Sequence, residues 1–254
     1  MSAVATDPAA LYTLELADDC LVLSHRLAQW SSKAHTLEED VELTNIALDL
    51  LGQARALYAR TADLDGSGRS EDDYVYLRDE RAFRNCLLVE HENGDFAVRM
   101  ARQLLYSAYQ LPLWRALTVS SDGGLAAIAA KAVKETTYHL DHARQWVVRL
   151  GDGTDESHSR MQAGLDALWP FTFELFERYD DVESLVVRNV AADPATLRRG
   201  WNATIDTVIH EATLVHPETS WRPSGGRRGV HTEVFGYMIA EMQHLHRSHP
   251  GARW

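Results

Sequence analysis

The chain has 254 residues, 45% of them hydrophobic and 24% charged, with 37 acidic against 25 basic side chains and a formal net charge of −12. This is an ordinary globular composition, and the acidic balance excludes nucleic acid as the main partner, because phosphate binding needs a clustered basic surface. No run approaches the ~18 apolar residues of a membrane span, and residues 1–10 lack the basic and apolar regions of a signal peptide, so the chain is expected to be cytoplasmic.

Residues 1–9 are expected to form a flexible tail, and 10–254 a single helical domain. The first helix is predicted near 10–30 and carries Cys20. The second, near 37–64, places Leu43, Ile46, Ala47, Leu50, Leu51, Ala54, Leu57 and Tyr58 at three- and four-residue steps along one face. Asp65-Gly66-Ser67-Gly68 ends it. A third helix is predicted over 72–91, with Cys86 and the charged run Asp73, Asp79, Glu80 and Arg81, which reads as a solvated face. Asn93-Gly94 separates it from a helix over 94–120, in which Pro112 is expected to kink or break the chain. Asp122-Gly123-Gly124 and Gly151-Asp152-Gly153 bracket a helix over 124–151, with Ala129, Ala132, Val133, Leu140, Ala143, Val147 and Leu150 in helical register. Another follows over 155–178, interrupted at Pro170. The stretch 183–190 fits either an extended segment or a short helix.

Asp193-Pro194 reads as an N-cap followed by proline at the first helical position, opening a helix over 194–214. The loop from Pro223 to Gly229 precedes a last helix over 230–248, with Val234, Phe235, Met238, Met242 and Leu245 on its apolar face. Neither cysteine belongs to a CxxC or Cys/His array, so both read as buried reduced thiols. Trp114, Trp146 and Trp169 lie on apolar faces and read as core. Trp221, beside a Pro/Gly loop, reads as an interface anchor. No alternating stretch is long enough for a sheet. The fold class is therefore all-α, an antiparallel helical bundle with additional C-terminal helices.

Long-helix bundles can house two irons, held by single carboxylates from two helices and a Glu-x-x-His pair from each of two others. Of the twelve histidines, only His244 has a glutamate, Glu241, three residues before it. The helical wheel puts His244 roughly 140° from the centre of its apolar face. His139 is better placed, roughly 50° from its own apolar centre, but Thr136 stands three residues before it. On the second helix, Leu50 and Gln53 occupy the same three-residue spacing. Leucine is no ligand, glutamine is a poor one for iron, and threonine cannot supply an anionic oxygen. Neither inward pair can bind metal as Glu-x-x-His does, so no catalytic residue and no metal ligand is expected in this chain. His139 and Gln53 read as interior polar groups with hydrogen-bond partners.

Several strings, taken together and in order, carry a resemblance. They include Leu16-Ala17-Asp18-Asp19-Cys20 with Ser24-His25-Arg26-Leu27 and Trp30, and Leu48-Asp49-Leu50-Leu51-Gly52-Gln53. They continue through Asp79-Glu80-Arg81, Glu90, Asn93-Gly94-Asp95-Phe96-Ala97, Lys134-Glu135, Tyr138-His139-Leu140 and Leu168-Trp169. Gly226-Arg227-Arg228-Gly229, His231-Thr232-Glu233, Ala240-Glu241-Met242-Gln243 and Trp254 complete the set. Over nearly everything from residue 10 onward, the chain resembles the C subunits of bacterial phenylacetyl-CoA epoxidases. That resemblance implies a ferritin-like fold and a non-catalytic structural role in a multicomponent di-iron monooxygenase of aerobic phenylacetate catabolism. In the related catalytic A subunits, segments similar to 49–53 and 135–139 carry ligand pairs. On that comparison Leu50, Gln53 and Thr136 stand where ligands would be, and His139 is retained, so the four are degenerate metal-site positions.

The resemblance further implies a catalytic A subunit as partner, with small and reductase subunits besides. It implies di-iron in the partner and no cofactor in this chain. Homodimerisation is a further expectation. Two alternatives stay open. One is a self-sufficient di-iron or di-manganese oxidase using Glu135, His139, Glu241 and His244. The other is an acyl-CoA-binding accessory role, in which Arg227 and Arg228 contact CoA or a partner from their glycine-flanked loop.

Overall fold

The computed structural model describes residues 7–252. Residues 1–6, which make up most of the expected tail, and Trp254 lie outside them. Among the described residues there is no strand. Four long helices dominate: α1 (Pro8–Ala28), α2 (Leu37–Asp65), and, after two short elements, α3 (Glu71–Tyr76) and α4 (Leu87–Glu90), the pair α5 (Phe96–Leu117) and α6 (Gly123–Gly151). α1 packs along α2 and α5 along α6, while α2 meets α6 across the bundle. α7 (Asp155–Leu168), α8 (Asp180–Val187), α9 (Pro194–Glu211) and α10 (Glu233–Ser248) follow. α7 and α9 pack against α5, and α10 lies on α3.

Local chemistry sets the ends of these helices. Thr36 caps α2 by accepting from the Glu39 amide, and Glu38, Glu39 and Asp40 occupy the first turn, where the helix dipole favours negative charge. Gly66 closes α2 in the left-handed conformation, at φ 62°. Asp122 and Asp193 cap α6 and α9, the latter with proline in its first turn. On α2 the period buries Leu43, Ile46, Leu50, Ala54 and Leu57, each larger aliphatic side chain contributing about 1.5–3 kcal/mol of apolar burial.

Two expectations change in the structure. The helix predicted over 72–91 is broken into α3, a 3-10 turn at Glu80–Ala82 and α4. Two buried carboxylates of α1 draw this stretch out of helical pairing: Asp18 accepts from the Arg84 amide at 2.8 Å, and Asp19 from the Cys86 amide at 2.7 Å. Pro112 does not break α5, which runs through to Leu117. α5 is flanked by α6, α7 and α9, and its burial outweighs the roughly 3 kcal/mol that an interior proline costs. Pro170 does act, turning the end of the 155–178 stretch into the 3-10 segment Trp169–Phe176. The ambiguous stretch near 183–190 lies mostly in the short helix α8.

Candidate functional site: the centre of the bundle

The period of α2 turns Leu50 and Gln53 inward, and that of α6 turns Thr136 and His139 inward; all four are buried. At Gln53 the four long helices each supply one side chain. Gln110 of α5 donates its amide to Gln53 Oε1 at 3.2 Å and to Cys20 Sγ of α1 at 3.3 Å. Cys20 donates its thiol to Gln53 Oε1 at 3.6 Å. Gln53 donates in turn to Glu135 Oε2 of α6 at 3.0 Å, and Glu135 pairs with Lys131 at 3.3 Å. Burial pushes the Cys20 thiol well up, so it stays protonated. Two amides and a thiol are therefore bonded to one another where a ferritin-like bundle would gather carboxylates, with Gln110 Oε1 left without a partner among the described residues.

Beside this network, His139 Nε2 meets Asp49 Oδ2 at 3.0 Å. Burial pulls the imidazole pKa below its usual value, and the Asp49 carboxylate offsets only part of that. Further along the same seam, His142 Nε2 meets Glu39 at 3.0 Å, and Tyr138 donates to Glu42. Two histidines and a tyrosine of α6 are thus spent on α2 carboxylates, zipping the two helices together.

The donor set does not fit a pair of irons. Leu50 offers nothing, the Thr136 hydroxyl has no partner among the described residues, and Gln53 is already committed at both ends of its amide. Among the described residues, no group of three or more His, Cys, Asp or Glu side chains is placed to hold a metal ion. Glu241 and His244 are exposed on α10 and do not join Glu135 and His139 between α2 and α6.

Arg227, expected as a possible CoA or partner contact, is placed inside the protein. Its guanidinium is buried and grips Asp19 with two parallel bonds of 3.0 and 2.7 Å, with further donations to the carbonyls of Glu15 and Arg84. With both terminal nitrogens engaged inside the protein, no fork is left for phosphate. Burial opposes the Arg227 charge, but the Asp19 carboxylate outweighs it and holds the guanidinium firmly protonated. Arg228 is exposed, with its guanidinium 5.6 Å from the Tyr179 ring centroid.

The glycines around these arginines serve close packing. A Cβ on Gly226 would lie 2.2 Å from the Asn85 carbonyl oxygen, and one on Gly229, at φ 76°, 2.2 Å from that of Arg81. Glu174 receives the amides of Leu87, Gly225 and Gly226 at 2.6–2.8 Å. Glu90 receives Asn85, His231 and the Thr232 amide at 2.6–2.9 Å. Sequence reasoning missed these buried carboxylates. The signal available was Asp18-Asp19 in the middle of an apolar helix, since adjacent buried charges demand partners.

Among the described residues, no helix is long and apolar enough to cross a membrane. Over residues 1–254 the chain matches the sequence model of the family described as "Phenylacetic acid catabolic protein". It is 49% identical over 243 residues to the C subunit of the 1,2-phenylacetyl-CoA epoxidase of Escherichia coli (strain K12), covering 96% of this chain and 98% of that protein.

Proposed function

The chain belongs to the family of phenylacetic acid catabolic proteins, and from that premise we propose that it is the non-catalytic structural subunit of a phenylacetyl-CoA epoxidase. Its ferritin-like bundle keeps the architecture of an oxygenase subunit and has at its centre a network of Cys20, Gln53, Gln110 and Glu135 in place of a full ligand set. One observation carries the reading: Leu50, Gln53 and Thr136 occupy inward positions from which they supply no anionic ligand.

On this reading the iron sits in a catalytic partner, and this chain supports that partner's helices. Only contacts made in the transition state accelerate chemistry, but a rigid neighbour can hold those contacts in place. The outer face of α2 supports the reading. Leu37, Val41, Leu48 and Leu51 repeat on one side of the helix, with Leu37 and Leu48 left 75% and 59% exposed. Apolar stripes of this kind mark surfaces that a partner covers. Small and reductase subunits complete the proposed assembly, in the cytoplasm.

The test is joint purification with the catalytic partner, followed by metal analysis of each separated chain. Iron is expected to follow the catalytic chain, and this chain alone is expected to have no oxygenase activity. More than about one iron per purified chain (a single occupied ligand set), together with activity in the absence of any partner, would reject the proposal.

A further inference from the structure

Several exposed arginines of this acidic protein find a carboxylate. Arg144 pairs with Glu211, and Arg178 with both Glu183 and Asp193. Arg198 of α9, Arg222 in the stretch after α9 and Arg228 behave differently. All three are exposed, and among the described residues none has a carboxylate within ion-pair distance. Each lies over an aromatic ring instead, and the rings belong to one stretch, Phe173, Phe176 and Tyr179. The guanidinium carbon of Arg222 lies 4.2 Å from the Phe173 centroid. That of Arg198 lies 5.5 Å from the same centroid and 5.4 Å from that of Phe176. Arg198 and Arg222 are therefore within about 10 Å of each other. Next in sequence to Arg222, Trp221 is 59% exposed and touches Phe171 edge-on at 5.3 Å.

Stacking fixes the plane of a guanidinium and leaves its N–H edges pointing away from the ring. Such forks match carboxylates bidentately and lose little freedom on binding. Arginine and large aromatics are also the residues enriched where proteins meet. The three guanidiniums come from separate segments of the chain. Several guanidiniums side by side suit a protein surface that carries several carboxylates.

We infer that this arginine–aromatic face, carried by Arg198, Arg222 and Arg228 beside Trp221, docks an acidic surface of another protein of the same assembly. It is distinct in chemistry from the apolar stripe of α2, and it rests on the reading of the chain as a subunit.

The test mixes the full-length chain with the separately purified remaining subunits of its epoxidase and measures affinity against salt. Wild type is expected to bind, with affinity falling steeply as NaCl rises from about 50 to 500 mM. Arg198→Glu/Arg222→Glu is expected to weaken binding about tenfold or more at low salt, with its melting curve unchanged. Arg198→Lys/Arg222→Lys keeps the charge, and it should keep the salt dependence while losing part of the affinity. Wild-type affinity in the charge-reversed protein would overturn the inference and leave the subunit reading intact. Failure of wild type to bind any subunit would reject both. CoA binding to the isolated chain that the reversal abolishes would make the face a phosphate site, and would also overturn the inference.

Discussion

The side-chain amide of Gln110 donates to the side-chain oxygen of Gln53 at 3.2 Å, joining α5 to α2 through the middle of the bundle. Gln53→Leu removes the acceptor shared by Gln110 and Cys20 and strands buried donors, at an expected cost of about 1–3 kcal/mol. Gln53→Leu/Gln110→Leu should cost less than the two single changes together, with a coupling of about 1 kcal/mol in a denaturant double-mutant cycle. Strictly additive losses would mean that the amides do not act as a unit.

Arg227 faces a buried Asp19, so Arg227→Ala leaves a carboxylate unpaired in the interior. The expected loss is about 3–5 kcal/mol. Asp19→Asn/Arg227→Ala should recover part of it, because the stranded charge is gone. Urea unfolding of wild type and the two variants decides. A fully stable Arg227→Ala protein would show that the pair does not hold the fold.

Burial raises the Glu15 carboxyl from 4.5 to about 8, the nearby Arg227 lowering it only in part. The folded protein then binds an extra proton between those values. The associated stability is complete below about pH 4.5 and disappears as pH rises through about 8. Glu15→Gln should flatten that slope, so that relative to wild type it gains at least about 1.4 kcal/mol between pH 4 and pH 9, the equivalent of one pKa unit. Parallel stability profiles for the two proteins would contradict this.

The stripe on α2 separates folding from assembly. Val41→Asp and Leu48→Asp alter exposed positions and should leave unfolding free energy within about 0.5 kcal/mol of wild type. The same changes should abolish joint purification with the catalytic partner. Complexes that survive them would place that interface elsewhere.

Helical period oriented α2 and α6, although Leu51, expected on the apolar face of α2, is 37% exposed on its outer side. Leu50, Gln53, Thr136 and His139 are buried because a rotation of about 100° per residue decides which side each one takes. What those side chains touch was not legible, because Cys20 and Gln110 come from other helices and no local spacing announces them. The stretch 72–91 misled for a related reason: its amides answer to Asp18 and Asp19, more than sixty residues earlier in the chain. Gly225 to Gly229 had the composition of a surface loop. Its glycines allow the opposite, close approach to the backbone at Arg81 and Asn85. In α10 the buried face includes Gln243, which donates to the carbonyls of Val75 and Arg78. Hydrophobicity misplaces Leu245 on the same helix, which is exposed.

The bond between Asp19 and Arg227 spans 208 positions of the sequence. A nascent chain therefore carries α1 with an unanswered Asp19 until residue 227 has also been made. Contacts this remote in sequence are slow to form, so the segment around Arg227 acts as a latch on α1, added after the intervening helices.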